Sequence, residues 1–429
     1  MRLSFGLLFF AVLPQSTPAN WPQWRGPAGS AVSSESGLPL EWSRTENVRW
    51  RARLPGRGTS TPIVWEERVF LTYQTGSGPL DGRGAEFENA RAPRPDAPQA
   101  KGVRFFVRAV GRQDGRMLWE YALDADAGLP SVHPKHNLAS PSPVTDGSAV
   151  YAWFGTGQLV ALDLDGKLLW ERHLGREEGP FEVLWGHGSS PALYKDLLIL
   201  QCDHPMRAYL LGLDKSTGQT RWKTDRPQEV RSYSTPLVIE RAEGDELVVN
   251  SSHRLESYDP ATGKLLWYAG EPTTLAIPMP VFAGGVVYAS RGYASGPYQA
   301  IRLGGRGDVS QTQVKWFFPT RAPYVSSLLY YRDVLYMATE HGIVTGMDPE
   351  SGAPLFQERL EGAFTASPVA GDDKVYLLNE DGDTYVLAAA REFKLLARNR
   401  LDERSLASPA IAGGNLFIRT DESLFCIGR

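Results

Sequence analysis

Short apolar runs, many with alternating polar positions, follow one another along the chain and are separated by Gly, Asp and Ser clusters. Alternation at period two predicts strands, and the glycine-bearing breaks predict tight turns. The runs fall into groups of four. The clearest group is SPVTDGSAVYAWFGTGQLVALDLDGKLLWERHL, from Ser142 to Leu174: a Ser-Pro start, an apolar strand, Gly, a further strand, a turn and Trp. The same order returns from Ser190, from Thr235 and, more loosely, from Met279, with further copies beginning at Ser326 and Ser367. In DPATGK, DKSTGQ and DPESGA the last turn puts Gly where a hairpin needs positive φ. Four-stranded repeats of roughly 40 to 50 residues are the blades of a β-propeller.

The aromatic residue of the fourth strand counts the blades: Trp119, Trp170, Trp222, Trp267, Trp316 and, in weakened form, Phe356 and Leu396. The C-terminal stretch from Ser408 to Arg429 has three strands and stops before its Trp. ENVRWRARL, Glu46 to Leu54, carries Trp50 with no three strands before it. The expectation is therefore an all-β, eight-bladed propeller of four-stranded antiparallel blades over 46–429, closed by the N-terminal strand completing the last blade. Closure of this kind leaves the ring no open end. Residues 1–19, with Arg2 ahead of LSFGLLFFAVL, have the form of a secretory signal peptide. Residues 20–45 form an N-terminal extension, and a charged, proline-bearing insertion occupies 74–102 of the first blade.

Copies of ALDxxTGxxxW, present as ALDLDGKLLW, GLDKSTGQTRW and SYDPATGKLLW, resemble the tryptophan-docking repeat of quinoprotein dehydrogenases, the pyrroloquinoline-quinone-like propeller family. They are also similar to the repeats of the outer-membrane assembly propeller lipoproteins. WPQWRGP at Trp21 and KHNLASPSPV at Lys135 resemble an exported branch of that family without an assigned activity. The resemblance implies the fold, and a structural role for the six tryptophans as belts between blades. Relatives that are dehydrogenases use a quinone with calcium, an aspartate base and, in many, adjacent cysteines; Cys202 and Cys426 are not adjacent.

The 429 residues carry a net charge of -4, with no concentrated basic face, which argues against nucleic acid as a partner. No later run is long and uncharged enough for a membrane span, and no cysteine follows the leader to carry a lipid anchor. Turns between second and third strands and the links between blades emerge on one face. His133, His136, His187, His204, His253 and His341 fall there, as do Trp185, Arg231, Tyr233, Arg291, Tyr293, Arg321, Tyr324 and Arg404. Arginine beside aromatics suits carboxylates, sugars and extended peptides. The expectation is an exported, monomeric, non-catalytic scaffold, periplasmic or extracellular, that binds a protein, peptide or envelope glycan through this face. No catalytic residue, metal site or cofactor is assigned; the alternatives are a quinone-and-calcium dehydrogenase and a metal- or ligand-sensing module.

Overall fold

The computed structural model describes residues 19–77, 101–126, 129, 132, 133, 135–181, 183, 186–205, 207–227, 230–293 and 296–429. The expected leader and most of the first-blade insertion lie outside them. Eight antiparallel sheets stand around an axis, seven of four strands and one of five. In each blade the innermost strand is short, as in Ala192–Tyr194, and the two middle strands are buried from end to end, as in Leu197–Cys202 and Tyr209–Asp214. The fourth strand, Thr220–Asp225 in the same blade, is exposed at alternate residues. Middle strands are covered on both faces by neighbouring blades, so they read as continuous apolar runs, whereas the rim strand keeps the period of two. Apolar clusters fill the gaps between adjacent blades.

The eighth sheet is made from both ends of the chain. The strand Val48–Arg53 pairs antiparallel with Ser423–Ile427, in a register that sets Trp50 opposite Cys426 and Arg53 opposite Ser423. The ring is closed by hydrogen bonds between residues near both ends.

One device repeats around the ring. In the first seven blades the register between third and fourth strands shifts next to the residue facing the docking position, as at Gly212/Leu213 opposite Trp222; in the seventh blade that position holds Ala397 and not the expected Leu396. A bulge at this point re-aims the side chain out of its own sheet. Trp50, Trp119, Trp170 and Trp316 accordingly donate their indole N–H to the carbonyls of Arg112, Leu164, Lys215 and Pro349 in the following blade, at 2.8 to 3.0 Å. Each ring lies on a turn glycine of positive φ: Gly115, Gly166, Gly218 and Gly352. Trp222 lies on Gly263 in the same way, without a partner for its N–H. A β-carbon on these glycines would come within 2.8 Å of the indole, so the turn must be Gly for both φ and contact.

Trp267 lies in the apolar cluster shared by the fourth and fifth blades but departs from the expected hydrogen bond. Its N–H bonds Glu246 of its own blade at 2.6 Å, with Ser257 on the same carboxylate. The fifth blade lacks the Asp-x-x-Thr-Gly turn here; its longer excursion adds the short parallel strand Gly307–Asp308 to the edge of the fourth blade.

Residues 19–42 form a strap across the face of the first-to-second-strand turns. Trp21 exchanges two backbone bonds of 2.8 Å with Val64 in the first blade, and Pro22 accepts from Thr145 in the second. Further on, Val32 pairs with Ala370 in the seventh blade, Glu35 accepts from Gly413 in the eighth, and Trp42 donates its amide to Asn399. No helix among the described residues is long and apolar enough to cross a membrane.

Candidate functional site

The strap decides which end of the axis is open. Trp24 packs on the cluster holding Leu237 and Met279, of the fourth and fifth blades, while its indole N–H reaches Ser408 of the eighth at 3.4 Å. The ring thus lies over the axis and floors it. Next to it Arg25 is buried, bonding Leu328 O at 2.6 Å and Gly29 O at 3.3 Å, with Nη1 unpartnered. Burial without a carboxylate pulls this guanidinium down to about 9.

Above Trp24 is a cup of about 340 Å³ that opens on the face of the blade links. All eight links contribute, through Thr59, Ser140, Gly188, Tyr233, Ile277, Tyr324, Thr365 and Leu406 among others. Deeper in, the innermost strands are laced to one another. The amide of Thr61 donates to the hydroxyl of Ser142 at 2.9 Å, Ser142 to Ser190 at 2.9 Å, and Ser190 to Thr235 at 3.0 Å. A second arc runs from Met279 to Ser327 at 3.0 Å, then to Ser367 and Ser408 at 2.9 Å each. Met279 has no hydroxyl to accept from Thr235, which separates the arcs.

At the mouth, Tyr233 and Tyr324 line the cup. Tyr293, 51% exposed, meets Tyr324 edge-on at 5.1 Å between ring centres. These three form an aromatic lip on one side. Opposite, Lys135 in the link between the first two blades reaches Glu380 of the seventh at 2.8 Å, and Thr365 donates to the same carboxylate at 2.6 Å. Glu340 accepts from the Tyr324 amide at 3.3 Å and is the one carboxylate among the residues that line the cup.

The structure divides the expected site residues. His133 and His136 line the cup, and burial lowers both to about 4. His187 and His204 do not reach it. They stand behind His136, packed on Phe181, with Trp153 also against His187, and burial holds them at about 3 and about 4. His253 is half-buried and His341 exposed. Arg231 is exposed beside Tyr233, and Arg321 is exposed with φ +80. Arg404 pairs with Asp421 at 3.3 Å. Arg291 is not a surface group: it is 1% exposed and donates to the carbonyls of Glu271 and Ser251, an internal strut whose place in the sequence only suggested a loop. Trp185 lies outside the described residues. Trp24 and the hydroxyl arcs are not among the expected site residues, although WPQWRGP and the repeated Ser-Pro starts were visible.

The profile of the family described as outer membrane protein assembly factor BamB matches residues 104–340 and 340–427. The chain belongs to the BamB family. Solved structures share the propeller at low identity. BamB from Moraxella catarrhalis is 15% identical, with 88% of this chain and 95% of that one covered at a TM-score of 0.59. The quinohemoprotein alcohol dehydrogenase ADHIIG from Pseudomonas putida HK5 is 11% identical, covering 96% and 80% at 0.67. That of Comamonas testosteroni is 13% identical, covering 95% and 80% at 0.62. No curated protein matches the sequence. These likenesses carry the fold alone; what the BamB-family cup binds depends on its own residues.

Proposed function

We propose that this BamB-family propeller is a non-catalytic scaffold of the cell envelope, gripping an extended segment of a partner protein at the mouth of its axial cup. The observation that carries this reading is the lip of Tyr233, Tyr293 and Tyr324 over a cup floored by Trp24. Aromatic faces hold peptide backbone and apolar side chains at little entropic cost, and a hydroxyl-lined cup offers hydrogen bonds to whatever enters. The family's description as an assembly factor agrees with a binding role, and the leader-like N-terminus agrees with export.

A quinone with its calcium fits these residues poorly. Calcium takes six to eight oxygen ligands, carboxylates among them, and Glu340 is the one carboxylate lining the cup. The buried oxygen-rich cage of Asp203, Glu256 and Ser251, none of which lines the cup, already encloses a cation, the guanidinium of Arg226.

The test is panning of a random peptide display library on the chain from Asn20. Wild type should enrich extended sequences that Tyr293→Ala/Tyr324→Ala fails to enrich while its melting temperature stays within a few degrees of wild type. Equal enrichment by the variant rejects the lip. Enrichment of envelope oligosaccharides on a glycan array instead of peptides replaces the partner class.

A further inference from the structure

The hydroxyls that open the innermost strands have a use beyond lacing blades together. Thr61, Ser142, Ser190, Ser367 and Ser408 line the cup, and all five precede proline. Four of them accept a neighbouring blade's amide, and Ser408 also accepts the indole N–H of Trp24, so these bonds occupy lone pairs and leave the hydroxyl hydrogens. The hydrogen of each hydroxyl has no acceptor in the hydrogen bonds of the described residues. The preceding row behaves differently: Ser60, Ser234 and Ser326 donate to the carbonyls of Thr72, Pro278 and Ala366 at 3.1, 3.0 and 3.2 Å. One row is closed on itself, and the other keeps its donors for the axis.

Five O–H groups from five blades therefore line one small cavity, none of them donating in the hydrogen bonds of the described residues. The charges around the cup are arranged by depth, although the cation behind the floor does not itself line the cup. Arg25 follows the floor residue Trp24, bonds the carbonyl beside Ser327, and has no carboxylate partner among the described residues. The acidic groups, Glu340 and Glu380, stand at the mouth, the second paired with Lys135. Convergent donors favour an oxyanion, because hydrogen bonds to a charged acceptor are roughly twice as strong as neutral ones.

We propose that the hydroxyl ring is an oxyanion site that takes a carboxylate. Resting on the peptide-binding reading above, the carboxylate is the C-terminus of the gripped segment; a free small carboxylate would be the other source of the same chemistry.

Wild-type protein is titrated, at constant ionic strength held with chloride, with acetate, acetamide, and hexa-alanine bearing a free or an amidated C-terminus, following thermal shift and calorimetry. Acetate and the free-acid peptide should raise the melting temperature saturably, and amidation should weaken the peptide by about tenfold or more. Ser142→Ala/Ser367→Ala should weaken both acids, whereas Tyr293→Ala should weaken the peptide and leave acetate unchanged. Equal binding of acid and amide overturns the oxyanion site while leaving peptide gripping intact. Binding of acetate without the peptide supports the site and overturns its assignment to a chain end. Absence of any effect from both acids overturns the proposal. The acid-amide comparison needs no variant, so misfolding of the serine pair leaves it decisive.

Discussion

Single residues carry the pH response of this ring. His136, His187 and His204 are held by burial at about 4, 3 and 4, against about 6.5 in an unfolded chain. They are neutral in the fold, and the unfolded chain binds protons first. Stability is therefore undiminished above pH 6.5 and falls as pH drops from there towards 4 and 3, by up to about 1.4 kcal/mol per unit for each imidazole. Urea midpoints at pH 7.5 and pH 5 should show the loss, and His187→Asn should shallow the dependence; a flat profile would mean that these rings are hydrated. Gly166 offers a second test. At φ +86, with Trp119 2.6 Å from any β-carbon, Gly166→Ala should cost about 2 to 4 kcal/mol, measured by denaturant unfolding. Local devices of this kind were legible: Asp-x-x-Thr-Gly turns and their tryptophans mark themselves within a few residues. The burial of Arg291 was not, because its carbonyl partners, Glu271 and Ser251, belong to other segments and leave no mark beside it.

Among elements, the contact between the third and fourth blades is held by a buried charge cluster. Arg226 binds Asp203, Glu256 and the hydroxyl of Ser251, and Tyr258 adds a bond of 3.0 Å to Glu256. Removing the cation strands two carboxylates out of water, so Arg226→Ala should destabilise by about 3 to 5 kcal/mol, visible as a lowered denaturation midpoint. A triple replacement with apolar residues of similar volume should recover most of the loss. The strands themselves could be read from periodicity because each half-buried rim strand announces its face. Trp267 keeps its place in the apolar cluster between the fourth and fifth blades but not the expected hydrogen bond, because the turn that would accept it is replaced by the Gly307–Asp308 excursion, and a single repeat unit does not show what its neighbour has lost. A tight turn at 379–383 is closed by the side chain of Asn379, which accepts the amides of Asp381 and Asp383.

The whole molecule couples these parts, since each blade covers its neighbour's core and the ring is closed. Adding pyrroloquinoline quinone with calcium should leave the melting curve unmoved; a saturable rise would show a cofactor site the present donor set does not support. The eight-bladed ring was countable from the sequence, down to the split eighth blade. The cup was only half legible, because the Ser-Pro starts acquire a common axis only when the ring closes, and the strap that floors it has no period. The closure between Val48–Arg53 and Ser423–Ile427 also sets an order in time. At about 5 to 20 residues per second, the first strand is made and then waits roughly 20 to 75 seconds for its partner to be synthesised. During that interval its arginines, Arg49, Arg51 and Arg53, are its defence: charge on an unpaired edge discourages wrong pairings until the last one becomes available.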